Sequence, residues 1–237
     1  LMYKLIILDY DGTMVGSSGL VTDPVKTAIK DAVKKGVKVS ISTGRSFYTL
    51  KNIIRQLGLD IPHVFLAGSL LYNPIKDLTL IEDDIKPQLV VEANDFALKN
   101  NLYLEAATFD KLYYNLEIPE IVAKRTSMLS ESDGLTDLSE LAKKRKILVM
   151  RFIVTSNQDK QLVKEFQETV SDRLSFHVGY AFNQPNVGVW NMTDIGVSKV
   201  SALRHLCEYL KIHPSETIAI GDSPIDLPLI ENAGFGI

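Results

Sequence analysis

Residues 5–13, Leu-Ile-Ile-Leu-Asp-Tyr-Asp-Gly-Thr, set two carboxylates two positions apart where an apolar run meets a glycine. Asp9, at the mouth of a buried strand, is poorly solvated, and Asp11 beside it adds like-charge repulsion. Both stay ionised only if a cation sits between them. That pairing suits phosphoryl transfer with Mg²⁺. Asp11-Gly12 is also a common hairpin-turn dipeptide, so the segment by itself leaves both readings open.

Three further segments carry polar groups at the ends of apolar runs: Ser42-Thr43-Gly44-Arg45, Gly196-Val197-Ser198-Lys199 and Gly221-Asp222-Ser223-Pro224-Ile225-Asp226. Singly each is ordinary, since Thr-Gly is often a turn, a Lys at a helix start is usually solvated, and Gly-Asp often opens a loop. Together and in this order they make the chain resemble the haloacid dehalogenase-like (HAD) superfamily. The pattern is similar to that of the Cof-type phosphatases, class IIB, which carry a large α/β cap between the second and third motifs. The resemblance spans most of the chain.

The resemblance implies roles for these residues. Asp9 would attack phosphorus and form an aspartyl-phosphate, and Asp11 would serve as general acid and then base. Asp9, Asp222 and the Asp11 backbone carbonyl would hold Mg²⁺, with Asp226 a weaker candidate for a ligand or an outer acceptor. Four carboxylates would repel a phosphate dianion from a partly dry cleft, and Mg²⁺ and Lys199 offset that repulsion. The Thr43 hydroxyl and the Gly44 N–H would hold phosphoryl oxygens. Arg45 is expected to tie its loop to a neighbouring carboxylate. Two positions depart from the family pattern: Ile225 stands where Asn is usual, and Ala67-Gly68-Ser69 where Asn-Gly-Ala is usual. Family members of this type continue for another strand and a helix, so a covering segment is expected beyond Ile237.

The elements that must position these groups follow from periodicity. Tyr3 to Asp9 reads as a strand. After Asp23-Pro24, an N-cap and N1 pair, Val25, Ala28, Ile29, Ala32 and Val33 form a helical stripe that Gly36 stops. Val37 to Ser42 is a second strand, Phe47, Leu50, Ile54 and Leu57 a second helical face closed by Gly58, and Pro62 to Ala67 a third strand. This alternation predicts a parallel α/β sheet, in which Asp9, Thr43 and Asp222 lie past the carboxyl ends of strands where such sheets bind ligands.

Between Tyr72-Asn73-Pro74 and Asn183-Gln184-Pro185-Asn186 the pattern changes. A helix is expected at about 88–99, strands at 102–106 and 112–116, a helix near Pro119, a polar loop around 130–134 and a short helix. A strand at 147–155, a helix at 159–170 and a strand at 174–180 follow. Strands in succession predict an antiparallel sheet, hence an inserted α+β cap domain at 80–186 within a discontinuous Rossmann-like core at 1–79 and 187–237. The two Pro-containing stretches are expected to be the crossings, and the hinges of a cap acting as a lid. The core is expected to resume with a strand at 187–192, a helix after a Ser198 cap with Val200, Leu203, Leu206, Cys207 and Leu210 on one face, and a strand at 217–220.

Composition bounds the rest. At 237 residues and 46% hydrophobic content the chain can bury a sizeable core. A net charge of −3, with one basic run at Lys143-Lys144-Arg145-Lys146, gives no footprint for nucleic acid. No apolar stretch reaches the roughly 18 residues of a membrane span, and Leu5 to Leu8 is too short for a signal sequence. A single cysteine, Cys207, excludes an internal disulfide, so a reducing cytoplasm is expected. The four histidines show no metal-ligand spacing. The expected partner is a small phosphorylated metabolite, most simply a sugar phosphate, and the expected activity a Mg²⁺-dependent phosphomonoesterase. A phosphosugar mutase and a non-catalytic phosphometabolite sensor are the competing readings. The oligomeric state is not legible.

Overall fold

The computed structural model describes residues 2–122, 132–181 and 184–237. Its first elements are β1 (Leu5–Asp9), α1 (Asp23–Lys34), β2 (Lys38–Ser42), α2 (Phe47–Leu57), β3 (His63–Phe65), β4 (Leu70–Asn73) and β5 (Leu78–Glu82). Next come α3 (Pro87–Lys99), β6 (Leu104–Ala107), β7 (Leu112–Tyr114), β8 (Ser132–Leu135), α4 (Leu138–Ala142), β9 (Val149–Val154), α5 (Asn157–Val170), β10 (Leu174–Ala181) and β11 (Gln184–Asp194). The last are α6 (Lys199–Leu210), β12 (Thr217–Ile220), α7 (Leu227–Glu231) and β13 (Phe235–Gly236). They divide into two units, Leu1–Ile81 with Ser198–Ile237, and Glu82–Val197.

The first unit holds a seven-stranded sheet in the order β13-β12-β1-β2-β3-β4-β5. β1 lies between β12 and β2 and runs parallel to both, which explains its unbroken apolar run: an interior parallel strand is covered on both faces. Leu5 and Ile7 on one face pack against Ala202, Leu203 and Leu206 of α6. That packing brings the start of α6 over the end of β1. α1 begins at Asp23 with Thr22 as its N-cap, one residue before the expected cap, and ends before Gly36 at φ +83°.

β4 was not anticipated, because Tyr72-Asn73-Pro74 reads as a boundary. The chain reverses after β3 through Leu66, Ala67 and Gly68, all at positive φ (+51°, +59° and +110°), and β4 pairs antiparallel with β3. Leu70 and Leu71 become fully buried by that reversal.

β3 opens with a fully buried histidine. His63 Nδ1 accepts the Ile41 N–H at 3.2 Å, and Nε2 lies 3.1 Å from the Leu59 carbonyl, so the ring is neutral with its proton on Nε2. Burial lowers its pKa from 6.5 to about 4, against the pull of the Leu59 carbonyl.

The second unit holds a six-stranded sheet in the order β10-β11-β9-β6-β7-β8. Its pairs are antiparallel except β7 with β8, which is parallel. Leu89 and Val90 of α3 and Phe166 of α5 pack on one face against Phe152, Trp190 and Met192. The inserted α+β unit is therefore present, but its limits differ from those read in the sequence. Residues 187–194 belong to β11, which is hydrogen-bonded to β10 on one side and β9 on the other, and Trp190 and Met192 lie in this unit's core. The unit accordingly runs from Glu82 to Val197. Asn73 ends β4 and Pro74 follows it before β5, while Gln184 opens β11, so neither proline stretch is a crossing. Of the loop expected at 130–134, residues 132–134 instead form part of β8, a short polar edge strand, and 130–131 lie outside the described residues. The helix expected near Pro119 is described through residue 122. Among the described residues no helix is long and apolar enough to cross a membrane.

His63 makes the first unit acid-sensitive. Its folded pKa lies below its unfolded one, so its stabilising effect is complete above pH 6.5 and is lost as pH falls towards 4, by up to about 3 kcal/mol. Urea melts of His63→Gln should lose less stability between neutral pH and about pH 5 than those of the parent. An equal loss in both proteins would place the acid sensitivity elsewhere.

Candidate active site

Asp9 ends β1, and Ser198 starts α6 with a reciprocal cap. The Ser198 hydroxyl accepts the Ser201 N–H at 3.1 Å, and the Ser201 hydroxyl accepts the Ser198 N–H at 2.9 Å. The cap fixes Lys199 as the first helical residue. Gly68 allows this close approach, since a Cβ there would collide with the Ser198 backbone. A cation at a helix N-terminus is opposed by the helix dipole, so Lys199 needs compensating anions. It has two: Nζ donates to Asp9 Oδ1 and to Asp226 Oδ1, each at 2.6 Å, with all three side chains buried.

The protonation of this group follows from burial and charge. Burial pushes the Asp9 carboxyl from 3.8 up to about 7; the Lys199 ammonium holds it down, while Asp226 and Asp11 add to the push. Burial favours neutral Lys199, yet Asp9 and Asp226 together hold its pKa above the ordinary lysine value. Asp226 has no exposed surface, and its other oxygen, Oδ2, accepts the Ser223 hydroxyl at 2.6 Å and the Ser223 N–H at 3.3 Å. Both of its oxygens are engaged, which suits an anchor for Lys199.

Asp222 follows β12 and is exposed. Its Oδ1 accepts the Thr13 hydroxyl at 3.0 Å. Gly12 makes room for it: a Cβ on Gly12 would run into the Asp222 carboxylate, and Gly12 sits at φ +90°. Asp9, Asp222 and Asp226 each offer an oxygen, all within 4.8 Å of one another.

Asp11 is not part of that cluster. Its carboxylate is gripped by Arg45, with Nε 2.7 Å from Oδ2 and a terminal nitrogen 2.5 Å from Oδ1. The guanidinium also lies over the Tyr10 ring, 5.3 Å from its centroid. The carboxylate expected to anchor Arg45 is thus Asp11 itself. Thr43 is buried, with its N–H on the Val64 carbonyl and its carbonyl accepting the Ala67 N–H. Its hydroxyl accepts the Arg45 N–H at 3.1 Å, which leaves the hydroxyl proton to donate. Beside Gly44 the space is open, since a Cβ there would meet nothing within 4 Å.

The structure therefore brings Asp9, Lys199, Asp222 and Asp226 together and sets Thr43 beside them, one residue after Ser42, the register partner of Asp9. Thr13 and Ser223 were overlooked. Both lie inside the motif segments, but a short hydroxyl in a turn announces no partner until the fold supplies one. The two unusual positions also have a local account. Ala67 occupies a left-handed conformation that Asn adopts more readily, and Ile225 leaves the orientation of Lys199 to Asp9 and Asp226.

Comparison with known proteins gives matches over nearly the whole chain. A family model described as haloacid dehalogenase-like hydrolase matches residues 6–237. A 5-amino-6-(5-phospho-D-ribitylamino)uracil phosphatase of Bacillus subtilis (strain 168) is 26% identical over 243 residues, covering 99% of this chain and 82% of the relative. A second phosphatase of that organism is 23% identical over 258 residues, covering 99% and 88%. Among solved structures, a HAD subclass IIB sugar phosphatase shares the fold with a TM-score of 0.83 at 18% identity, covering 98% of this chain and 86% of that one. A Thermotoga maritima protein does so with a TM-score of 0.79 at 22% identity, covering 99% and 85%.

The donor set fits the divalent metal that such hydrolases use. It is all oxygen, it is anionic, and one member is exposed where an ion keeping several waters can enter. Gly12→Ala should displace Asp222 while leaving the Asp9–Lys199–Asp226 contacts in place. Calorimetric titration with Mg²⁺ should then show affinity weakened about tenfold or more. Unchanged affinity would mean that Asp222 does not bind the ion.

Proposed function

We propose that this chain, which belongs to the haloacid dehalogenase-like hydrolase family and is a phosphatase of its Cof type, hydrolyses the phosphate ester of a small sugar or polyol, using Mg²⁺ and an aspartyl-phosphate on Asp9. The observation that carries this reading is the buried Asp9 carboxylate, held by Lys199 and within reach of two further carboxylates. The substrate class rests on the names of two similar proteins: one acts on a compound phosphorylated on a ribityl chain, the other is a sugar phosphatase.

Asp9 must attack as the anion, and burial works against that charge. Lys199 restores it by donating to Oδ1, and also offers its remaining N–H to the phosphoryl group. Thr43 O–H and Gly44 N–H hold the other phosphoryl oxygens in one orientation. Mg²⁺, held by Asp9 and Asp222 with Asp226 behind them, would supply positive charge against the carboxylates and the phosphate dianion. Asp11 protonates the leaving alkoxide, and as a carboxylate it then takes a proton from the water that attacks the aspartyl-phosphate. That attack releases phosphate and restores Asp9. Arg45 grips both Asp11 oxygens, so Asp11 has to release this partner to reach the leaving oxygen.

Released phosphate should be measured across a panel of phosphorylated sugars and polyols. EDTA should abolish release and Mg²⁺ restore it. Asp9→Asn should lower turnover at least about a thousandfold. Asp11→Asn should lower it about 10²- to 10⁴-fold while leaving the attacking group intact. Near-parental turnover by Asp9→Asn would overturn the nucleophile assignment, and full activity without metal would overturn the metal.

A further inference from the structure

The second unit contains a cavity of about 300 Å³ lined by that unit's own residues. It arises from strand alternation. Phe152 of β9 and Trp190 of β11 face the helices, whereas Tyr103, just before β6, Ile153 and Val189 face the other way and form a separate cluster. Ile118 and Ile121 pack on that cluster, and the cavity lies among them, floored by Tyr103, Ile121, Ile153 and Val187.

Its rim is acidic. Glu120 and Asp159 line it, and among the described residues no Lys, Arg or His does. Glu120 makes no hydrogen bond or ion pair among the described residues. Asp159, in the first turn of α5, accepts the Thr155 N–H and hydroxyl through Oδ2 alone, both at 3.4 Å, and so keeps acceptor capacity.

We propose that this cavity is a binding site for a small organic cation: a primary amine on an apolar, preferably aromatic, body. The floor would take the apolar part. The two carboxylates select against anions, phosphate esters included, and attract an ammonium group. The volume lies at the lower end of the range for small-molecule pockets, which limits the ligand to roughly one ring with a short side chain. The proposal does not rest on the phosphate chemistry.

The test uses the whole chain with ¹³C-labelled isoleucine methyl groups, titrated with tyramine and, in parallel, with 3-(4-hydroxyphenyl)propionate, which replaces the amine by a carboxylate. Tyramine should give saturable shifts at Ile118, Ile121 and Ile153, and the propionate should give none. A Glu120→Gln/Asp159→Asn double variant should weaken tyramine binding about tenfold, with the Ile7 and Ile41 methyl signals unmoved as a check on folding. Absence of saturable shifts with tyramine, equal shifts with the carboxylate, or unchanged affinity in the folded double variant would each overturn the proposal.

Discussion

One buried ammonium shared by two buried carboxylates governs the first unit. Lys199 lies between Asp9 and Asp226 at 2.6 Å from each, and none of the three can be desolvated without the others. Removing one partner from such a group leaves an uncompensated buried charge, a loss of about 3–5 kcal/mol. The arrangement therefore constrains its surroundings. α6 must start at one residue, which the Ser198–Ser201 cap secures, and the chain after β3 must pass close beneath it, which Gly68 permits.

The same charges bear on the division of labour proposed for the four aspartates. With Lys199 counted, Asp9, Asp222 and Asp226 still carry excess negative charge when ionised, and burial already holds Asp9 near pKa 7. A divalent cation relieves both effects. Asp226 is held by Ser223 and Lys199, Asp222 is exposed and touched by Thr13, and Asp11 is drawn away by Arg45. Four residues of one type thus differ in exposure and in partner, which suits the proposed roles, in which one attacks, one moves protons and two manage charge.

Most elements were legible because their periodicity is strong and their stops are glycines: Gly36 and Gly58 end helices where the sequence places their ends. The assignment of strands to sheets was less legible. β11 is apolar, precedes the Ser198 helix directly and reads as the core resuming, yet its Trp190 and Met192 complete the core of the inserted unit. β4 was hidden behind a proline, because the reversal that creates it runs through two non-glycine residues in left-handed conformations that no turn signal marks.

The sequence by itself determined the chemistry-bearing residue types, their order and their positions at strand ends and a helix start, because these follow from local periodicity and capping. Only the tertiary structure decided which carboxylate meets which partner. Asp9 and Lys199 are 190 residues apart, Thr13 and Asp222 are 209 apart, and Arg45 reaches Asp11 across 34. Hydrogen-bond partners at such separations depend on sheet order and register, which are set by packing among all the strands and leave no local mark on the chain.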